Sequence, residues 1–303
     1  MTTNMTIRNI FILACLMINN CVYSQKDAPI LNNPTLVMNA DSLKNLGHEI
    51  LYGATDSIRI NANENFSTLL EKSLNADYSF LFPFDSVKNV SILYAPDNSF
   101  RIMTWNMPAV DGSHYSYFGY VQTYNKKKST SKVFKLTDHN ESLEKPEFVK
   151  LSPDNWYGAV YYKMVFNQYH GKKYFTLLGF HFINQLKSQK VMETMMVSGD
   201  KVVFGMPNIK YNKKSYNRML FTYSAKVVML LHYDEIKNKI ICDHIQPEDK
   251  LMEGQYEYYG PDGSYDDFIF KGGNWIIESD MDMRNGKDRT SGKPKTPFEF
   301  PNH

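Results

Sequence analysis

The chain has 303 residues, a formal net charge of +2 and 14% aromatic side chains. Its acids and bases are well mixed, so the charge pattern does not indicate a nucleic-acid partner. A chain of this length can hold a fold by its apolar core, without disulfide staples.

In chain order, a basic start at Arg8, an apolar stretch from Ile10 to Ile18 and a short polar region with small residues read as a secretory signal. The stretch is too short to span a bilayer, which takes about 20 apolar residues. Val22 and Ser24 occupy the two small-residue positions of a cleavage site. The expected division is therefore a signal peptide over 1–24 and a mature chain beginning at Gln25. A lipid anchor is the rival, with Cys15 or Cys21 as the acylated residue. Cys15 leaves almost no apolar region after Arg8, and Cys21 follows Asn19 and Asn20, so the anchor is disfavoured. The expected location is the periplasm or cell envelope, or outside the cell, with no transmembrane helix in the mature chain. Cys242 is then the remaining thiol, and its apolar run Lys239-Ile240-Ile241-Cys242 marks it as a small buried hydrophobe.

Residues 25–282 read as a single globular domain of α+β class, helical over 41–75 and mainly β over 80–282. Leu43, Leu46, Ile50 and Leu51 recur at helix spacing, and after Gly53 so do Phe66, Leu69, Leu70 and Leu74. Asp41 and Thr55 are the expected N-caps of these two amphipathic helices. Beyond Phe80, short runs rich in Tyr, Phe, Val and Ile alternate with turn residues. Five hairpins are expected, with turns near Asp111-Gly112-Ser113, His170-Gly171, Ser198-Gly199-Asp200, Lys237-Asn238 and Gly272-Gly273-Asn274. They predict an antiparallel meander folded as a sandwich, a barrel or a propeller-like body. Lys126-Lys127-Lys128 reads as a solvated hairpin tip, and 283–303 as a polar flexible tail.

Three groups of side chains are candidate sites. Asp262, Asp266, Asp280 and Asp282 come from two acidic loops, and calcium takes six to eight oxygen ligands. The spacing fits no EF-hand, and Pro261-Asp262-Gly263 is also ordinary turn chemistry, so calcium is the one cofactor raised. His232 can approach Asp243 or His244 across the last hairpin but one, though adjacent residues on a strand face opposite ways and only one of the two can join it. Tyr256, Tyr258, Tyr259 and Trp275 are candidate stacking residues for a sugar or peptide, and aromatic rings equally fill β cores. No His-Glu-x-x-His, Cys-x-x-Cys or Gly-x-Ser-x-Gly motif occurs.

Lys173-Tyr174-Phe175-Thr176-Leu177-Leu178-Gly179-Phe180, Arg218-Met219-Leu220-Phe221-Thr222-Tyr223-Ser224 and Tyr258-Tyr259-Gly260-Pro261-Asp262-Gly263-Ser264-Tyr265-Asp266 resemble stretches of uncharacterised exported proteins of Bacteroidota. The resemblance spans roughly 41–282 and implies export and a shared fold. It brings no activity, cofactor or catalytic residue. The expected function is a non-enzymatic exported protein that binds a ligand or envelope partner through its β body. One alternative is a secreted hydrolase of glycan or peptide with acids among Asp262, Asp266 and Asp267. Another is a structural accessory of an envelope assembly.

Overall fold

A computed structural model describes residues 33–199 and 201–279. The expected leader, its cysteines, Asp280, Asp282 and the tail over 283–303 lie outside these residues.

Helix α1 (Pro34–Tyr52) begins before Asp41, the expected cap. The cap is Asn33, whose Oδ1 accepts from the amides of Thr35 (3.1 Å) and Leu36 (3.3 Å), with Pro34 at the first helical position. Leu36 and Ala40 extend the buried stripe of Leu43 and Ile50. The polar Asn39 interrupts that stripe in the sequence. In the fold it is buried and donates to Ser73 Oγ at 2.9 Å. Helix α2 (Asp56–Leu74) is capped as expected by Thr55, which accepts from Ile58 N at 3.3 Å. It buries Ala62, Phe66, Leu70 and Leu74.

Strands β1 (Ser91–Tyr94), β2 (Phe100–Pro108), β3 (Tyr115–Asn125) and β4 (Thr130–Thr137) form a first antiparallel sheet in sequence order. They are followed by β5 (Val160–Tyr169), β6 (Lys172–Phe182), β7 (Lys187–Ser198), β8 (Lys201–Phe204), β9 (Ile209–Tyr211), β10 (Lys214–Tyr216) and β11 (Arg218–Ser224). The chain continues through β12 (Leu231–Asp234), β13 (Lys239–Pro247), β14 (Tyr259–Lys271) and β15 (Asn274–Ser279). A central sheet has the order β11-β7-β6-β5, with β8 on β7, and a third has the order β10-β9-β15-β14-β13-β12. No sheet closes into a barrel, and among the described residues no α-helix follows Leu74.

All five expected hairpins pair antiparallel. In the β5–β6 turn both His170 (φ 47°) and Gly171 (φ 75°) have positive φ, the twist that suits a two-residue hairpin. The meander has two departures that no local signal announces. β11 returns to pair with β7 along 187–193, leaving 195–198 to β8. β9 pairs parallel with β15, through Trp275 and Ile209.

The three sheets and the helices stack as four layers. The helices pack Phe66 and Leu70 with Met103, Trp105 and Tyr120 of the first sheet, whose other face joins Phe175, Leu177 and Val191 of the central sheet. Leu178, Met192 and Met219, on the opposite central face, meet Ile240, Phe268 and Trp275 of the third. Alternate residues of β6 thus enter different cores, which is why Phe175–Phe180 reads as an almost unbroken apolar run.

Two fully buried arginines tie irregular connections to strands. Arg101 on β2 donates to the carbonyls of Ser79 (2.9 Å) and Phe82 (2.7 Å), to Tyr94 Oη (2.7 Å) and to Gln122 Oε1 (2.8 Å). Arg218 on β11 pairs with Glu193 on β7 (3.0 Å) and donates to the carbonyls of Pro146 and Val149 in the β4–β5 connection. Tyr161 donates to the same carboxylate and accepts from Trp156 Nε1.

Candidate functional site

A cleft of about 800 Å³ lies between α2 and the β3–β4 side of the first sheet. That size falls within the range of ordinary ligand clefts, roughly 300–1,000 Å³. On α2, Glu64, Ser67, Thr68 and Glu71 recur at three- and four-residue steps, which puts them on one helix face above the sheet. From below, Phe118 and Tyr120 alternate along β3, and Lys135 and Thr137 along β4.

The floor is fixed from beneath. Trp105 stacks on Phe118 (5.8 Å between ring centres) and Tyr120 (6.0 Å), and its Nε1 donates to Asn63 Oδ1 at 2.9 Å. Tyr120 Oη donates to the Glu71 carboxylate (3.1 Å) and lies 3.2 Å from the Ser67 carbonyl. Burial, reinforced by that carboxylate, pushes the Tyr120 phenol well above its ordinary range, so it stays a donor at any physiological pH. At one end Tyr115 stacks on Phe182 at 4.7 Å.

The other end is the turn after β4. Asp138 Oδ1 accepts from the amide (3.0 Å) and side chain (2.9 Å) of Asn140, and Oδ2 also accepts from that side chain (3.0 Å). Its carboxylate lies against Gly158 (φ 78°), where a Cβ would come within 2.5 Å of it. Burial raises the Asp138 pKa against the lowering effect of Asn140, and Glu141 adds to the rise. His114, His139 and Glu141 stand exposed around the rim. The cleft thus joins half-exposed ring surface to amide, hydroxyl and carboxylate groups, and at its rim His114 Nδ1 lies 3.0 Å from Ser113 Oγ.

The third sheet carries two smaller hollows, of about 500 and 290 Å³, which share Leu230 and Tyr265. They gather several of the expected residues. His232 lies opposite Ile241 and therefore shares a face with Asp243, while His244 lies on the other face and bonds Asp266 through Nδ1 at 2.9 Å. The Asp243 carboxyl is raised by burial, and its Oδ2 accepts from Leu230 N at 2.7 Å. Asp267 forms an ion pair with Lys239.

The calcium candidates are not gathered around one point in the described residues. Asp262 closes its own turn, accepting from Ser264 N (2.8 Å) and Oγ (2.6 Å), and Asp266 bonds His244. Asp280 and Asp282 fall outside the described residues, among which no cluster of three His, Cys, Asp or Glu side chains is arranged to hold a metal ion. The four aromatic candidates divide as well. Trp275 is fully buried, its Nε1 donating to Thr176 Oγ1 at 2.8 Å, so its ring is core packing rather than a stacking platform. Tyr259 is buried and accepts from Gly254 N, Tyr256 leans on it at 5.0 Å, and Tyr258 is the one exposed ring. Cys242 is fully buried in the same core, and burial lifts its thiol far above the ordinary range.

The cleft residues escape a reading of the sequence. Glu64, Thr68 and Glu71 look like the solvated face of an amphipathic helix, and Tyr115 and Phe118 like ordinary strand aromatics. Nothing local records that this helix face stands over that strand. No protein-family model, curated protein or solved structure matches the chain.

Proposed function

We propose that the chain is an exported, non-enzymatic binding protein whose ligand site is the cleft between α2 and the β3–β4 side of the first sheet. The observation that carries this reading is the 800 Å³ cleft, with half-exposed Tyr115 and Phe118 beside amide and hydroxyl groups. Ring faces and directional polar groups together suit a saccharide or a short peptide. The export half of the proposal rests on the leader pattern around Arg8 and Ile10–Ile18. No helix among the described residues is long and apolar enough to cross a membrane.

Titration calorimetry against soluble oligosaccharides and a short-peptide library tests the site. Saturable binding is expected, weakened at least tenfold by Phe118→Ala and by Thr68→Arg, which fills the cleft from the helix side. Binding indifferent to both substitutions would place the site elsewhere.

A hydrolase remains the second reading because of one observation: Asp138, with its raised carboxyl, shares the cleft with Glu64, Glu71 and Glu141. Both Asp138 oxygens already serve Asn140, which suits a turn cap better than a proton donor. Release of product from a bound ligand, abolished in Asp138→Asn, would replace the binding reading with this one.

A further inference from the structure

We infer that the outer edge of β4 is a docking site for an extended acidic peptide segment, which adds to the first sheet as a further strand. Among the described residues β4 pairs as a strand with β3 alone; on its other side the turn Pro153–Asn155 packs against its C-terminal end, where Asp138 bridges Trp156, and the remainder is a sheet edge. The direction of its backbone groups follows from the bonds at its end. Trp156 N donates to the Thr137 carbonyl at 2.8 Å, and His139 N donates to the Trp156 carbonyl at 2.9 Å. Thr137 therefore turns its backbone away from β3, and the alternation of a strand turns Ser131, Val133 and Lys135 the same way. The partner strand agrees: Tyr124, opposite Ser131, sends its N–H to Ser99 on the β2 side at 2.7 Å. Three residues thus aim both N–H and C=O outward, along a strand with an uninterrupted register, no proline and no bulge.

Charge selects the occupant. The hairpin 115–137 contains Lys126, Lys127, Lys128, Lys132 and Lys135 and no acid. All five are exposed. Two copies of this edge brought together would set lysines against lysines, so self-pairing is opposed, as lysines on sheet edges commonly do. An incoming strand with carboxylates on both faces meets the opposite situation. Main-chain bonds to Ser131, Val133 and Lys135 supply the pairing, and Lys132 and Lys135, which project to opposite faces, read its acids. The triple lysine at the tip extends the same field beyond the strand's end. The inference does not rest on the cleft ligand, although Lys135 belongs to both surfaces. Its test uses Lys127 and Lys132, which do not line the cleft.

The probe is the seven-residue peptide Val-Glu-Glu-Val-Glu-Glu-Val, whose paired glutamates put carboxylates on both faces of an extended strand, added to the full chain while amide hydrogen exchange is followed residue by residue. Binding should slow exchange at Ser131, Val133 and Lys135 at least tenfold and leave Lys132 and Phe134, already bonded to β3, unchanged. Lys127→Glu combined with Lys132→Glu should weaken binding at least tenfold. Val133→Pro, which deletes an outward N–H and no bond to β3, should abolish it with the fold retained by circular dichroism. Three outcomes overturn the inference: no binding at millimolar peptide, binding without protection of those three amides, or lysine-dependent binding to phosphatidylglycerol vesicles with none to the peptide.

Discussion

Arg101 and Arg218 do related work in unlike surroundings. Each is completely buried on a strand and feeds its donors to the carbonyls of an irregular connection, 75–90 for Arg101 and 138–159 for Arg218. Arg218 has a counter-charge, Glu193, itself held by Tyr161. Among the described residues Arg101 has no carboxylate partner. It is surrounded by neutral acceptors and by the rings of Phe80, Phe84 and Tyr94, at 5.6, 5.2 and 5.6 Å, and burial lowers its pKa. A guanidinium can thus be buried by pairing its charge or by spreading it over dipoles and ring faces. The two solutions differ in what is stranded when the arginine is lost.

The largest effect is expected at the paired site. Arg218→Met leaves the Glu193 carboxylate buried without its counter-charge, a loss of about 3–5 kcal/mol, and adding Glu193→Leu should return most of it. Urea unfolding of the three chains decides this. Equal losses in the single and double variants would show that the carbonyl bonds of Arg218, and not its charge, matter most.

The same connection sets a pH limit. His181 stacks on Tyr117 at 4.5 Å and its Nδ1 bonds the Gly158 carbonyl at 2.6 Å, and burial holds its pKa down at about 4. An unfolded histidine titrates near 6.5, so as pH falls the unfolded chain takes up the proton first. Stability from this group is complete above pH 6.5 and is lost down to about pH 4, by about 3 kcal/mol in all. His181→Gln should flatten the fall of melting temperature across that window. An unaltered slope would assign the acid sensitivity to other groups.

At the unpaired site the loss should be smaller. Arg101→Met strands neutral acceptors, which water can reach more readily than it can compensate a charge, for a loss of about 1–3 kcal/mol. It should not depend on pH between 5 and 8, roughly the range in which carboxylates stay ionised. A loss as large as that of Arg218→Met would break the distinction between the two sites.

The smallest effect belongs to Asp138. Its raised carboxyl means that the folded state disfavours the charged form, so its contribution is fully present below the unfolded pKa and is lost as pH rises through the folded one. Asp138→Asn keeps an acceptor for Asn140 N and removes that cost, so a gain of up to about 1 kcal/mol at neutral pH is expected. A clear loss in thermal melts would mean that the ionised carboxylate is needed by the turn.

Periodicity and turn chemistry in the sequence were enough to determine the two helices, the five hairpins and the burial of Cys242. Those features depend on residues a few positions apart: Thr55 with Ile58, or His170-Gly171 between β5 and β6. The misplaced start of α1 has the same origin, since Asn39 breaks the apolar pattern locally and is satisfied only by Ser73 on the other helix. Of the candidate site residues, the turn role of Asp262 was legible, whereas the burial of Trp275 was not, because its indole is covered by a strand that carries Thr176, far away in the chain. The tertiary structure alone decided the return of β11 to β7, the parallel seat of β9 beside β15, the cleft under α2 and the open edge of β4. Each of these depends on which faces and edges meet across long stretches of chain, and side-chain pattern records that a face is apolar without recording what covers it.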